Sequence, residues 1–483
     1  MRKHFNYTLL VTCTVGLLAA SVDMPLAWTS PNFIKLYSND SSINPLPRPI
    51  TEREDSWIGS LLVIGAVIGP IPAPYICSKF GRKKALLVTA LPIIAAFFTQ
   101  AFARSVYTIY ATRVITGVSL GAGYALLPIY IGEIAEDYNR GMLSQAINVF
   151  WSFGNFLVYA TGPFMSYRTF NVMIAAFPAS FFLLFLLLAP ESPHFLVAEN
   201  RLDQAVKSLM LLRSKAKEEV QEEINSIGQQ LTEQKGNKGL KELFATGFVR
   251  RAFFICLWLV FTQELCGFSV IFFYLQLLFR ESGSRISDEL SSLVMALFVL
   301  ATSFVSPFLV DRFGRRTLLL VSCSGMCLSL AALGGFFFVK EETSASTLPI
   351  YWLPLASLVM FVFFFNFGMS VPWTITAELL PCYVKETATT IITSLSWMLA
   401  FLCTNFFHSV THKIGIGRTF WCFAGYCFVA GIGIYCFVPE TKGKSFTEIQ
   451  DVMKFGGVFQ FGSKKVQGES KDAGENKQSK EKY

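Results

Sequence analysis

Long apolar segments dominate this sequence and decide what it can fold into. Twelve of them approach or exceed the roughly 20 residues that a helix needs to cross the hydrocarbon core of a bilayer. Because lipid offers backbone amides no hydrogen-bonding partner, each segment must satisfy its own backbone as a helix. The twelve predicted spans are residues 7–28, 56–77, 85–103, 106–131, 142–163, 169–189, 250–280, 288–310, 317–339, 349–376, 387–410 and 419–438.

Charged residues are too few for a soluble protein of this size. They make up 15% of the 483 residues, whereas soluble domains carry roughly a quarter. Such a chain could not cover a water-facing surface, so we predict an all-α membrane protein with twelve transmembrane helices. The first apolar segment is longer than the core of a secretory signal peptide, and we expect it to be retained as a helix.

Basic residues are concentrated in the loops of one side. They lie at 79–84 between the second and third spans, at 312–316 between the eighth and ninth, and in the central polar segment. The positive-inside rule places that side, and both termini, in the cytoplasm of a multi-pass plasma-membrane protein. The net charge of +8 therefore indicates topology and not a nucleic-acid partner. The loop 29–55 is then outside, where Asn39-Asp40-Ser41 forms an N-glycosylation acceptor.

Polar stretches divide the chain into parts. Within the central segment, apolar residues alternate with charged ones at helical spacing, which predicts short amphipathic surface helices. The end of the chain is rich in Lys, Glu, Ser and Gly and is predicted to be disordered. The predicted parts are an N-terminal six-helix bundle over 1–190, a cytoplasmic helical linker over 191–249, a C-terminal six-helix bundle over 250–438 and a cytoplasmic tail over 439–483.

Three motif pairs recur in the same order in the two halves. Gly314 lies 233 residues after Gly81, Glu378 lies 245 after Glu133, and Pro439 lies 249 after Pro190. Because six is an even number of spans, the halves have the same orientation and form a parallel repeat. Transporters built from such repeats bind substrate near the midplane between the halves, and one half rocks against the other.

Charges at the cytoplasmic ends of the spans are predicted to form a gate. Ion pairs between helix ends would hold that side shut while the outside is open, and would break when the inside opens. Simple positive-inside anchoring is the alternative, and we prefer it for Lys83 and Lys84. We prefer the gate for Glu133 with Arg140 and for Glu378 with Lys385, because anchoring does not explain acidic partners repeated at a fixed spacing of seven residues. The predicted gate residues are Arg82, Glu133, Arg140, Asp311, Arg315, Arg316, Glu378 and Lys385.

No pattern of residues indicates an enzyme or a metal site. Most of the eleven cysteines fall in apolar stretches and none lies in the loop 29–55, so we interpret them as small apolar packing residues. No paired Cys-x-x-C with matching histidines, phosphate-binding loop or nucleophile–base constellation is present. We therefore predict no catalytic activity, no metal and no cofactor.

Four loop motifs are informative when taken together: Gly81-Arg82-Lys83, residues 311–316, Pro190-Glu191-Ser192-Pro193 and residues 439–443. They resemble the loop motifs of the sugar-porter branch of the major facilitator superfamily, and the resemblance covers nearly the whole chain. Thr29-Ser30-Pro31 at the end of the first span is similar to the insect facilitated trehalose transporters and to animal glucose transporters. The resemblance implies the major facilitator fold.

The same resemblance implies where a sugar would bind. Glu264 stands where the branch has a glutamine, Ser269 stands at its sugar-contacting asparagine, and several hydroxyl-binding amides are replaced. A sugar hydroxyl needs a partner in a dry cavity, so we expect weak glucose binding or a different polyol or disaccharide. The implied substrate-binding residues are Gln263, Glu264, Ser269, Asn148, Trp373 and Trp397.

Asp23, Arg113 and Glu264 are charged residues within predicted spans, where charges are costly and usually functional. Proton-coupled members of the resembled branch carry an acid in the first span and an arginine in the fourth. In one interpretation Asp23, Arg113 and Glu264 couple sugar uptake to protons. In the other, Asp23 or Arg113 has a structural role. We favour facilitated diffusion because Arg113 is also typical of uniporters in that branch.

The prediction is a monomeric sugar transporter that works in the bilayer by alternating access. Facilitated diffusion of a trehalose- or hexose-class sugar is the first hypothesis. A proton-coupled sugar symporter and a nontransporting sugar sensor are the alternatives.

Overall fold

Every regular element is a helix in the computed structural model, which describes residues 5–136, 140–233, 240–282, 287–342, 350–368, 371–380 and 382–440. The helices of the first half are α1 (Phe5–Leu36), α2 (Glu52–Ile68), α3 (Ala73–Phe80), α4 (Arg82–Ala101), α5 (Val106–Ile134), α6 (Arg140–Thr161) and α7 (Tyr167–Leu188). A central segment follows with α8 (Pro193–Ala198), α9 (Leu202–Arg213), α10 (Lys217–Glu233) and α11 (Leu240–Ala245).

The second half repeats the same order of long helices, and its first long helix is interrupted at Gly267. Its helices are α12 (Gly247–Leu265), α13 (Phe268–Phe273), α14 (Leu275–Ser282), α15 (Asp288–Arg312), α16 (Arg315–Glu342), α17 (Leu353–Gly368), α18 (Val371–Leu379), α19 (Cys382–Ile414) and α20 (Ile416–Phe437). The predicted disordered tail lies outside the described residues from 441 onward.

The predicted spans coincide with these helices. Nine described helices, with α12–α14 and α17–α18 each taken as one span, are long and apolar enough to cross a bilayer. The pair α2 and α3, bent by 45°, forms a tenth. The other two predicted spans are α6 and α15. The chain is therefore a multi-pass α-helical membrane protein, as the sequence predicts.

The first helix is longer than predicted, because it continues to Leu36 instead of ending near Trp28. Pro31 does not end it: the side-chain amide of Asn32 donates to the Trp28 carbonyl at 2.8 Å, which helps satisfy the backbone around the proline. The predicted loop 29–55 is thus shortened to residues 37–51. Its far end is set by a capping box, in which Thr51 and Glu54 satisfy the first amides of α2.

Small residues let α2 and α5 pack backbone against backbone. A Cβ atom added at Gly65 would overlap the Val114 carbonyl, and one added at Gly117 would overlap the Leu62 carbonyl. Gly69 and Gly121 repeat the arrangement one turn along. The two Gly-x-x-x-Gly pairs therefore allow the close approach that such motifs give membrane helices.

The central segment folds against the ends of α1 and α5. Its helices α9 and α10 pack through an apolar seam that includes Leu209 and Ile224, which agrees with the predicted amphipathic helices. Arg213 is 2% exposed, donates to the Ile134 carbonyl at 2.7 Å and pairs with Glu223 at 2.8 Å. This buried arginine anchors the segment to the end of α5.

The two ends of the bundle differ in charge. One, the basic end, carries the starts of α4 and α16, with Arg82 and Arg315. The other, the opposite end, carries the loop 37–51. The halves contact each other through α2 with α19, α6 with α15, and α1 with α13 and α14.

Candidate functional site

A cavity lies between the two halves, midway along the long helices. Its water-accessible volume is about 90 Å³. By this measure one water needs roughly 10–15 Å³, so the cavity holds about six to nine waters. The cavity therefore has room for a small polar ligand. The lining residues are Asp23, Leu26, Tyr124, Asn155, Gln263, Glu264, Phe268, Ser269, Phe272, Phe273, Trp373, Thr393, Ser396 and Trp397.

Each half contributes one carboxylate to this cavity. Asp23 of α1 accepts a hydrogen bond from the Tyr124 hydroxyl at 2.6 Å and one from the Asn155 amide at 2.5 Å. Glu264 of α12 accepts from the Ser269 hydroxyl at 2.8 Å and from the Ser396 hydroxyl at 3.1 Å. Both carboxylates are buried and are held by neutral donors.

A break in the seventh long helix shapes the second half of the cavity. Gly267 has φ of 86°, a left-handed conformation that glycine adopts without strain. It separates α12 from α13 and brings the hydroxyl of Ser269 back onto the carboxylate of Glu264. The break therefore fixes the orientation of the acid.

Two buried amide oxygens in the lining have no hydrogen-bond partner among the described residues. They are Oδ1 of Asn155, a side chain that is 6% exposed, and Oε1 of Gln263. An unpaired buried acceptor costs free energy, so both oxygens are available to a ligand's hydroxyl or amine donors.

Aromatic side chains form the apolar wall. Tyr124 stacks on Trp151 with ring centroids 4.2 Å apart and meets Trp397 edge to face at 5.5 Å. Trp373 completes this wall from α18. Flat aromatic faces beside hydrogen-bonding groups suit a ligand with an apolar body and polar edges.

Five of the six residues implied as substrate contacts line the cavity, namely Gln263, Glu264, Ser269, Trp373 and Trp397. Asn148 does not: it lies nearer the start of α6 and donates to Gln145 at 2.7 Å. Asn155, two turns further along α6, lines the cavity in its place. The sequence interpretation also did not include Tyr124, Thr393 or Ser396 among the contacts.

The charged residues predicted within the spans separate in the structure. Asp23 and Glu264 face the cavity. The Arg113 guanidinium instead donates to the carbonyls of Ile58 at 2.8 Å and Pro25 at 2.6 Å, and lies over the Trp28 ring at 5.4 Å. Its contacts are therefore with backbone and an aromatic ring, away from the lining.

Ion pairs recur at the basic end of each half. Arg82 of α4 pairs with Glu133 of α5 at 2.8 Å, and Arg315 of α16 pairs with Glu378 of α18 at 3.1 Å. Both pairs join helices within one half. The guanidinium of Arg316 lies over the Tyr435 ring at 4.8 Å. Lys385 is half-buried near the start of α19, and the side chains of Arg140 and Asp311 lie outside the described residues.

A second pair of acids caps helices at the basic end. Glu191 accepts hydrogen bonds from the amides of Arg82 and Lys83 at 2.8 and 3.0 Å. Glu440 accepts from the amides of Arg315 and Arg316 at 2.9 and 3.1 Å. Each carboxylate thus binds the start of a helix, where the backbone offers unpaired donors.

At the opposite end the halves are joined by polar contacts. Tyr159 donates to the Phe272 carbonyl at 2.9 Å, and Asn405 donates to the Ser60 hydroxyl at 3.0 Å. His412 lies 2.8 Å from Glu52. The cavity is therefore closed toward the loop 37–51, in which Asn39 is exposed.

Comparison with known proteins gives one consistent family. Residues 14–453 match the model of the family described as sugar (and other) transporter. The chain is 32% identical over 453 residues to the facilitated trehalose transporter Tret1 of Bombyx mori, covering 93% of this chain and 87% of that protein. The corresponding protein of Apis mellifera ligustica is 32% identical over 455 residues, with coverage of 93% and 89%.

Solved structures give the same fold. The proton:xylose symporter XylE bound to 6-bromo-6-deoxy-D-glucose superposes with a TM-score of 0.74 at 21% identity, over 92% of this chain and 99% of that chain. An auto-inhibited peptide transporter superposes with a TM-score of 0.60 at 12% identity, over 91% and 99%. The likeness shows the twelve-helix major facilitator fold, as predicted.

Proposed function

Because this chain belongs to the family of sugar and other transporters, we propose that it carries a trehalose- or hexose-class sugar across the membrane by alternating access. The observation that carries this proposal is the central cavity. It is lined by both halves, has unpartnered amide oxygens of Asn155 and Gln263 and an aromatic wall, and is closed at one end. Opening the halves at either end in turn would expose the same site to each side.

We propose facilitated diffusion as the mode of transport. The relatives named above are facilitated trehalose transporters, and the cavity in its closed form has a water-accessible volume of only about 90 Å³. A disaccharide would therefore enter only when the halves move apart. We also propose that one chain is the functional unit, with the basic end and both termini in the cytoplasm of the plasma membrane.

The ion pairs at the basic end support a gate in which each half of the molecule moves as a rigid body. Arg82–Glu133 and Arg315–Glu378 fix helices within each half, so each half would move as a unit. The predicted gate residues would then stabilise the two bodies that rock, and contacts between the bodies would form and break around them.

Proton-coupled symport is the second candidate, and one observation favours it. Asp23 and Glu264 present two buried carboxylates to the cavity with only hydroxyl and amide donors around them in the described lining. A proton could bind either group without displacing a cationic partner.

Uptake of labelled trehalose and glucose into proteoliposomes, with and without a pH gradient, separates these functions. We expect uptake that does not change when the gradient is collapsed. Uptake that stops on collapse, and becomes independent of the gradient in Asp23→Asn or Glu264→Gln, would establish symport. Measurable sugar binding without any flux would instead identify a sensor.

A further inference from the structure

The cavity holds two buried carboxylates and, in its described lining, no cationic side chain. From this imbalance of charge we infer that its preferred substrate is a cationic amino sugar, whose ammonium group binds between Asp23 and Glu264. The inference rests on the proposed function and names the substrate class of the same cavity.

The acceptors come from both halves. Asp23 and Glu264 are carboxylates, which accept only, and the unpartnered amide oxygens of Asn155 and Gln263 add two further acceptors. The described lining contains no Lys, Arg or His. A hydroxyl is both donor and acceptor, whereas an ammonium offers three donors and no acceptor. An ammonium therefore matches these four acceptor groups better than a hydroxyl does.

Electrostatics also favours an ammonium group over a hydroxyl at this position. A buried carboxylate without an opposite charge is costly, and a cation that hydrogen-bonds to it offsets much of that cost. Arg113 does not supply this charge, because its guanidinium donates to the carbonyls of Pro25 and Ile58. A cationic substrate would supply it. Since Asp23 belongs to α1 and Glu264 to α12, the same ammonium would also draw the two halves together around the sugar.

Competition between three matched sugars tests the inference in proteoliposomes containing the full chain. D-Glucosamine carries the ammonium, N-acetyl-D-glucosamine keeps the nitrogen without the charge, and D-glucose has a hydroxyl there. With the amine protonated, we expect glucosamine to inhibit labelled-sugar uptake at a concentration about tenfold lower than either neutral sugar, the effect of one charge-assisted hydrogen bond. Equal inhibition by all three would overturn the inference.

Substitutions of the two cavity carboxylates test whether they cause the preference for glucosamine. We expect Glu264→Gln and Asp23→Asn each to reduce the preference for glucosamine, while Glu281→Gln, an exposed acid outside the cavity, leaves it unchanged. A preference that survives both cavity substitutions would also overturn the inference. Should a variant fail to fold, the wild-type competition decides alone. Failure of the proposed function is distinct, because no sugar would then enter the liposomes.

A separate cluster at the opposite end carries a second inference, about control of opening. His408 and His412 lie one turn apart on α19 and face two acids of α2 in the other half. His408 lies 3.3 Å from Asp55, and His412 lies 2.8 Å from Glu52. We propose that these four residues, the histidine latch, hold the opposite end closed more firmly when the imidazoles are protonated.

The surroundings of the latch are acidic or neutral. Asp55 is completely buried and also accepts from the Tyr37 hydroxyl. The ring of Tyr274 meets His408 edge to face at 5.0 Å, and Glu52 contributes a second negative charge near it. The titratable groups facing His408 are thus Asp55, Glu52, Tyr274 and His412.

The sign of the pH effect follows from this geometry. Histidine gains its charge as pH falls through the range from about 8 to about 5. A charged imidazole beside Asp55 or Glu52 attracts the other half of the molecule more strongly than a neutral one, which can only donate a hydrogen bond. Acid therefore stabilises the state in which the opposite end is closed, and slows entry of substrate from that end.

Entry rates measured with the same buffer inside and outside the liposomes test the latch without any proton gradient. D-Glucose is the probe, because its charge does not change with pH. We expect wild-type entry to be at least about threefold slower at about pH 5.5 than at about pH 8. The double variant His408→Gln/His412→Gln should lose most of this difference, and His194→Gln, in the central segment, should keep it.

Two outcomes would overturn the latch. One is a wild-type entry rate that does not change with pH. The other is a double variant that retains the full pH dependence, which would assign the effect to other groups such as the cavity acids. If the double variant does not fold, Asp55→Asn/Glu52→Gln removes both partner charges and should give the same loss.

Discussion

At the scale of single residues, Asn155 makes the clearest prediction. Its amide nitrogen donates to Asp23, and its amide oxygen faces the cavity without a partner. Replacing it by alanine removes a hydrogen bond to a carboxylate and a substrate acceptor, so we expect the KM for sugar uptake to rise about tenfold. Asn148→Ala on the same helix is the matched control and should change KM less than about twofold. Equal effects of the two substitutions would contradict the assignment of the cavity.

The sequence could predict the residue types of the site better than their positions. Gln263, Glu264 and Ser269 follow one another around a single helix break, so one motif was enough to find them. Asn148 and Asn155 are seven residues apart, nearly two full turns, and lie on the same face of α6. Which of the two reaches the midplane depends on how far the helix is shifted along its axis, and that is set by packing that no local pattern reports.

At the scale of the helices, the contact between α2 and α5 predicts a sharp difference between two glycines. A Cβ at Gly117 would overlap the Leu62 carbonyl, and backbone cannot move aside cheaply. We therefore expect Gly117→Ala to lower the free energy of unfolding by about 1–3 kcal/mol. Gly132, on the same helix, has open space around it. Gly132→Ala should be neutral or slightly stabilising, because alanine is the better helix former.

Thermal unfolding of the purified protein in detergent, followed by tryptophan fluorescence, checks this pair of glycines. The midpoint of Gly117→Ala should fall below that of the wild type, and the midpoint of Gly132→Ala should not. If neither variant changes the unfolding temperature, α2 and α5 can move apart at Gly117 without a loss of stability, which would contradict the prediction.

Helix ends show what sequence can and cannot predict at this scale. The repeat in the sequence joins Glu133 to Arg140 and Glu378 to Lys385, seven residues apart. In the structure Glu133 pairs with Arg82 and Glu378 pairs with Arg315. The motif containing Glu191 was only a family signature in the sequence. Its role as a cap of α4 depends on a contact across more than a hundred residues of chain, which spacing alone does not predict.

At the scale of the whole molecule, the proposed topology can be tested at Asn39. The loop 37–51 lies at the end away from the basic residues, and Asn39 is exposed there. Expressed in eukaryotic cells, the chain should carry one glycan at this site, and Asn39→Gln should remove it, as seen by a gel shift that peptide-N-glycosidase also abolishes. Asn6-Tyr7-Thr8, a second acceptor motif that the proposed topology places on the cytoplasmic side, provides the control. A shift removed by Asn6→Gln instead would invert the proposed orientation.

Alternating access predicts that the two halves move apart at the opposite end in each transport cycle. Ser60 of α2 and Asn405 of α19 touch across the halves at 3.0 Å when the opposite end is closed. That contact must separate in each transport cycle. Cysteines at both positions, joined by a short bifunctional thiol reagent, should therefore reduce uptake to background, and a cleavable reagent should restore uptake when it is reduced.

The single variants Ser60→Cys and Asn405→Cys, treated with the same reagent, show whether blocking comes from the cross-link or from modification of one residue. They also control for cross-links between an introduced cysteine and a native one, of which Cys403 is nearest in sequence to Asn405. Sugar binding measured in detergent should survive the cross-link, since the cavity would still open toward the basic end. Full uptake by the cross-linked protein would mean that the halves do not part here, and substrate would then need a path that leaves this contact intact.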